Sequence, residues 1–229
     1  MSDKSNSSAW FAGVNAVKDN AVPSVIILSL STLLVWSYYN CVSVQQTLDV
    51  LGDFNKQHVW TFGILSTAIT GGFIPWCFRM CFPSIRPAHP FLDLVHSFLW
   101  WAWMGVVVCF FYGLQAQIFG DAKTASTVMK KVLFDQIFFT PVVAAPLNAI
   151  SHYWKDHDWS IEKMKTALRP GWYRRLILPN LLPNYAVWIP GTCIFYSMPS
   201  DLVLPVANCI GCFWALLCVR IATHSRSRN

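Results

Sequence analysis

From Ala21 to Thr47 the chain runs without a single Asp, Glu, Lys, Arg or His, and Val59 to Phe78 does the same. About 20 helical residues cross the ~30 Å hydrocarbon core of a bilayer. Inside lipid the backbone must satisfy its own hydrogen bonds, so uncharged runs of this length become helices. Four further stretches qualify. Leu94 to Phe119 holds only His96, Gln136 to Trp154 only His152, and Leu176 to Ser200 and Leu202 to Val219 hold no charged residue or histidine. Composition agrees, with 55% hydrophobic and 12% charged residues, where soluble domains carry about 25% charged residues.

The expected fold is therefore all-α: a polytopic integral membrane helical bundle of about six hydrophobic helices plus a short interfacial helix. One transmembrane domain covers 21–222, with spans near 22–42, 59–79, 93–119, 132–154, 178–199 and 201–220. A polar segment, 1–20, precedes it, and a basic tail, 223–229, follows. Pro23 suits the first turn of the first helix. Pro179, Pro183 and Pro190 interrupt the fifth stretch, so charge distribution must arbitrate its status. Six spans leave Lys56, Lys123, Lys130 and Lys131 on one side and the other thirteen Lys and Arg on the opposite side. That asymmetry obeys the positive-inside rule and puts both termini on the positive side.

The N-terminal residues show neither an arginine-rich transit peptide nor a cleavable signal, so an internal span is expected to direct insertion. Trp10, Phe11, Val14 and Val17 fall on one face of a possible surface helix. In HYWKDHDW, Tyr153, Trp154 and Trp159 suit a membrane interface. Asp158 or Ser160 would cap the following helix, 160–169, whose Ile161, Met164 and Leu168 share one face while Lys163 and Arg169 lie elsewhere, as on anionic lipid.

The eight cysteines lack histidines at zinc-ligand spacing and read as buried apolar residues. No metal or cofactor is expected. There are no paired catalytic carboxylates, no phosphate-cradling glycine loop, no serine with an evident base and no multi-histidine box, so the chain reads as a non-enzyme. The net charge of +6 is explained by topology and implies no nucleic-acid partner. The expected partners are the lipid bilayer, small solutes and, through small-residue seams, a second copy of the chain. Gly63, Thr67 and Gly71, and again Ala207, Gly211 and Ala215, repeat every four residues, a spacing that lets helices approach closely. Gly71, Gly72 and Pro75 imply that the second span kinks or ends early.

Residues 130–154, KKVLFDQIFFTPVVAAPLNAISHYW, carry the most informative polar groups. A carboxylate at mid-bilayer costs ~3 kcal/mol or more, so Asp135 needs an interface, a partner or water. Lys131, one turn earlier, would pair with it at the membrane edge. Alternatively, Asp135, Gln136 and the deeper Asn148 would line an aqueous path in a helix kinked at Pro141 and Pro146, which free the carbonyls of Ile137 and Val142. Asp93 and His96 either pair, or Asp93 simply caps the third span.

KKVLFDQIFFTP resembles the third-helix motif of the family of Mpv-seventeen and the peroxisomal membrane proteins. PNYAVWIPGTCIFYSMP resembles that family's final motif through Trp188, Phe195 and Pro199, and Trp214 falls where the last helix of the family carries its tryptophan. FYGLQAQIFG resembles the aromatic end of the family's second helix. The likeness covers 107–222. Gly191 and Ile194 stand where the family commonly has Gln and Asn, and two spans are added to the usual four. The resemblance implies a weakly selective channel for small solutes, with Asp135 and Gln136 as pore or gate residues. It also implies a mitochondrial inner or peroxisomal membrane, or a bacterial inner membrane for a prokaryotic relative. A nonconducting membrane scaffold is the alternative.

Overall fold

Helix boundaries follow the chain's own punctuation. The computed structural model describes residue 21 and residues 24–226. Pro23, the 1–20 segment with its aromatic face, and residues 227–229 of the basic tail lie outside the described residues. The described residues form helices and connections, with no strand among them. Helix α1, Ser24–Asn40, meets α2, Val42–Gln57, at an angle of 102°, because Cys41 between them is extended. The uncharged run from Ala21 to Thr47 is thus two helices rather than one. Helix α3 covers Val59–Met80 and α4 covers Pro90–Phe119. The latter starts at a first-turn proline, which has no N–H to leave unsatisfied. It stops at Gly120, whose φ of 76° suits a residue without Cβ.

Helix α5, Ala125–Asp156, begins under the Thr124 hydroxyl, which accepts from the Thr127 N–H. Short helices α6, Ile161–Ala167, and α7, Trp172–Leu176, lead to α8, Leu178–Tyr196, and α9, Ser200–Arg226. Ser160, and not Asp158, caps α6. Among these, α3, α4 and α5 are long and apolar enough to cross a membrane, and α1 with α2 would make a fourth if taken as one bent span.

Proline and glycine did not break the long helices. In α3 the backbone widens into a π segment, Ala68–Phe73, and continues through Pro75 to Met80. In α5 a longer π segment, Asp135–Ala144, contains Pro141, and Pro146 opens the α-helical turn that follows. A π turn re-registers the hydrogen bonds around the missing proline donor, and the helix continues. The carbonyl of Pro141 accepts from the Tyr173 hydroxyl at 2.8 Å.

The small-residue seam of α3 closes within the chain, against α4. A Cβ on Gly105 would stand 2.5 Å from the Gly63 carbonyl oxygen, and one on Gly72 would stand 2.8 Å from that of Ser97. Backbones can approach so closely only where side chains are absent. Helix α9 crosses α3 through Asn208, which donates to Ser66 Oγ at 2.9 Å and accepts from Thr67. The tightest core gathers Phe195, Tyr196, Met198, Leu202, Val206 and Ile210 around the α8–α9 connection, with Ile27, Tyr38 and Val132 from α1 and α5.

The outward faces are apolar. Leu99, Phe110 and Ile137 are 62%, 64% and 69% exposed. In water such a surface would drive association, whereas hydrocarbon solvates it without cost. The expectation of buried cysteines holds for Cys109 but not for Cys81 and Cys209, which face outward; a thiol is apolar enough for lipid. The Cys218 side chain lies outside the described ones.

Candidate functional site

Three charged or polar helix ends meet at one end of the bundle. Asp93, in the first turn of α4, forms an ion pair with Arg79 from the end of α3 and another with Lys155 from the end of α5 at 3.0 Å. Asp93 and Lys155 are both buried. A buried carboxylate of this kind is retained only with partners, because desolvation is costly for each ion. Asp93 therefore neither pairs with His96 nor caps α4; the residue at the cap is His89.

His96 faces two other groups. Trp159 Nε1 lies 3.0 Å from His96 Nδ1, and His96 Nε2 lies 2.9 Å from Ser151 Oγ. An indole nitrogen only donates, so Nδ1 is the acceptor and the ring is neutral, with its proton on Nε2 toward Ser151. The Asp158–Trp159 pair supporting this contact has φ values of 56° and 55°, a left-handed backbone that costs about 1–2 kcal/mol per non-glycine residue. One turn deeper, Trp100 Nε1 donates to Asn148 Oδ1 at 3.0 Å.

At the opposite end Asp135 is 5% exposed and fully supplied with donors. Oδ1 accepts from Thr140 Oγ1 and Gln136 Nε2, each at 3.1 Å, and Oδ2 accepts from the Tyr196 hydroxyl at 2.7 Å. The expected Lys131–Asp135 pair does not form. Lys131 instead reaches Asp121 at 3.2 Å, because Asp135 begins the π segment and turns toward α8. The carbonyl of Lys131 accepts from Gln115 Nε2 at 3.3 Å. Gln115 Oε1 and Gln136 Oε1 are buried acceptors without a donor among the described residues.

Between the two ends lies an aromatic block. Phe111 of α4 and Phe139 of α5 stack at 3.8 Å with an interplanar angle of 11°, flanked by Phe134 at 5.8 Å from Phe111. Along α4 the order is Asp93, His96, Trp100, Phe111, Gln115. Along α5 the partners run Lys155, Ser151, Asn148, Phe139, Lys131. The antiparallel helices thus match polar groups at both ends and phenyl rings in between.

Of the sequence candidates, Asp135 and Gln136 touch each other, whereas Asn148 belongs with Trp100 and the opposite polar end. Pro141 and Pro146 shape the π segment and the turn after it without breaking the helix. Trp188 packs against Gly211, and Phe195 is buried with its ring 5.9 Å from that of Tyr112. Pro199 accepts from the Leu202 N–H, and Trp214 packs on the core. Residue reasoning assigned no site role to Tyr196, Gln115, Lys155, Trp159 or Asn208. Gln115 and Tyr196 lie in the quoted motifs and Trp159 was expected only at a membrane interface, whereas Lys155 and Asn208 carried no signal. Among the described residues no group of three or more His, Cys, Asp or Glu is arranged to hold a metal ion. The chain matches no protein-family model, no curated protein and no solved structure.

Proposed function

We propose that the chain is a six-span membrane protein forming a gated, weakly selective path for small solutes along the seam of α4, α5 and α8. The carrying observation is the α4–α5 ladder, polar at both ends and blocked between them by the Phe111–Phe139 stack. Stacked rings exclude water from a narrow seam, so the arrangement suits a closed gate with polar vestibules. Asp135, with Gln136 and Gln115, stands at the inner end of one vestibule, where a carboxylate sets ion preference. The family resemblance over 107–222 points to the same activity.

The six-span topology is supported by how the helix ends group. Arg79, Asp93 and Lys155 share one end; Gln115, Lys131, Asp135 and Tyr196 share the other. Helix α8 has 19 residues, about 28 Å of helix, and α2 turns aside to run across α1. Accessibility labelling of Lys123 and Lys165 checks this topology: labelling from opposite faces is expected, and labelling from one face overturns it.

Function is tested by solute release and single-channel current from liposomes holding the purified chain. Discrete current is expected, with Phe139→Ala raising open probability and Asp135→Asn changing ion preference. Silence of all three proteins across voltage and pH would leave the second reading, a nonconducting scaffold. That reading is favoured by the complete donor set of Asp135, which suits a polar packing joint.

A further inference from the structure

The connection between α5 and α8 carries Lys163, Lys165, Arg169, Arg174 and Arg175 against two acids, Asp158 and Glu162, of which only Glu162 lies within the α6–α7 hairpin. All five cations are exposed, and among the described residues none forms an ion pair. Arg175 is spent inside the connection. Its guanidinium donates to the carbonyls of Pro170 at 2.9 Å and of Ala167 and Arg169 at 3.2 Å. This clamp holds the carbonyls at the end of α6 and closes the reversal at Gly171, whose φ is 84°. The other four cations are therefore displayed from a braced hairpin, with the positions of their backbones already settled.

Apolar groups project from the same element. Ile161 and Leu168 are 66% and 39% exposed, and seven residues apart they share a helix face. Bulk water would solvate the cations and leave these side chains stranded. A membrane surface takes both, apolar groups at the acyl boundary and cations at the phosphates. Helices α5 and α8 tether the hairpin at both ends, so ordering cost on contact with a headgroup is small.

We propose that the α6–α7 hairpin is a binding surface for anionic lipid headgroups, contacted by Lys163, Lys165, Arg169 and Arg174. The proposal rests on α5 and α8 crossing the bilayer. It gives the asymmetric positive charge a second task beside orientation: selecting the lipid that surrounds this end of the bundle.

The test uses the full chain in neutral detergent micelles, titrated with phosphatidylglycerol or phosphatidylcholine. Retained lipid is read by native mass spectrometry and the melting temperature is followed in parallel. Phosphatidylglycerol should be retained and raise the melting temperature, with weakening as salt rises, and phosphatidylcholine should do neither. Each cation changed to Gln should weaken retention roughly five-fold. The variant carrying Lys163→Gln, Lys165→Gln, Arg169→Gln and Arg174→Gln should lose it. Exchanging Lys for Arg and Arg for Lys at these positions should preserve retention, as should Lys123→Gln with Lys130→Gln at the other end. Equal retention of phosphatidylcholine, undiminished binding by the four-fold variant, or an equal response to soluble glycerophosphoglycerol would each overturn the proposal. Failure of α5 to cross the bilayer would change the labelling of Lys123 and Lys165 and leave this titration unaltered.

Discussion

The Tyr196 hydroxyl donates to Oδ2 of Asp135 at 2.7 Å, joining the end of α8 to the start of the π segment in α5 across 61 residues of sequence. A hydrogen bond to a charged acceptor contributes about 1.5–3 kcal/mol. Tyr196→Phe should therefore lower unfolding stability in detergent by about that amount, and Asp135→Asn should do so comparably. Their double variant should lose less than the two losses combined, with a coupling above ~0.5 kcal/mol. Simple additivity would mean that the two side chains do not meet. Lys131→Ala, whose partner is Asp121, should add to Asp135→Asn without such coupling.

Asp93 neutralises two cations, one of them buried. Asp93→Asn should cost about 3–5 kcal/mol, because it leaves the buried Lys155 ammonium only its longer contact with Asp156 and leaves Arg79 unpaired. Adding Lys155→Met should restore part of the loss by removing the buried charge. Equilibrium unfolding of the single and double variants reads both effects; a double variant less stable than Asp93→Asn alone would contradict the pairing.

Two glycines of α4 make opposite predictions. Gly105→Ala places its methyl against the Gly63 carbonyl and should destabilise by about 1–3 kcal/mol through overpacking. Gly113 has open space where its Cβ would stand, so Gly113→Ala should stabilise by up to about 1 kcal/mol through helix propensity. Thermal melts of the two variants should shift in opposite directions.

The Trp159–His96 contact separates hydrogen bonding from backbone strain. Trp159→Phe keeps a ring but loses the donor to Nδ1, and should cost about 1 kcal/mol. Asp158→Gly relaxes a left-handed residue and should leave stability unchanged or raise it by up to about 1 kcal/mol. Destabilisation by Asp158→Gly beyond that of Trp159→Phe would show that the Asp158 side chain, and not the indole, holds the turn.

Much of the architecture was legible in residues 21–222 because the long uncharged runs follow a simple rule that lipid would impose, and become helices. The stops at Gly120 and the start at Pro90 follow equally local rules. The break at Cys41 did not announce itself, since its neighbours on both sides are apolar or neutral. The prolines of α5 were visible in the sequence, but the π segment that takes up Pro141 was not, because its register depends on what packs alongside. Within the candidate site, Asp135 and Gln136 stood out as polar groups in an apolar run. Their partners did not, since Tyr196 and Gln115 look like ordinary residues near helix ends.

The sequence by itself determined the apolar character of the long helices, the helical class and the separation of charge along the chain, because each depends on composition over a turn or a span. Only the tertiary structure decided which charges meet. Lys131 had an acid one turn away and pairs with Asp121; Lys155 keeps a longer contact with its neighbour Asp156 at 3.9 Å and takes its closer partner, Asp93 at 3.0 Å, from another helix. Packing is the physical reason. Asp93 shares a buried site with Lys155, whereas Asp135 is already supplied by Tyr196, Thr140 and Gln136 and leaves Lys131 to the half-exposed Asp121; which groups meet is a property of packed helices.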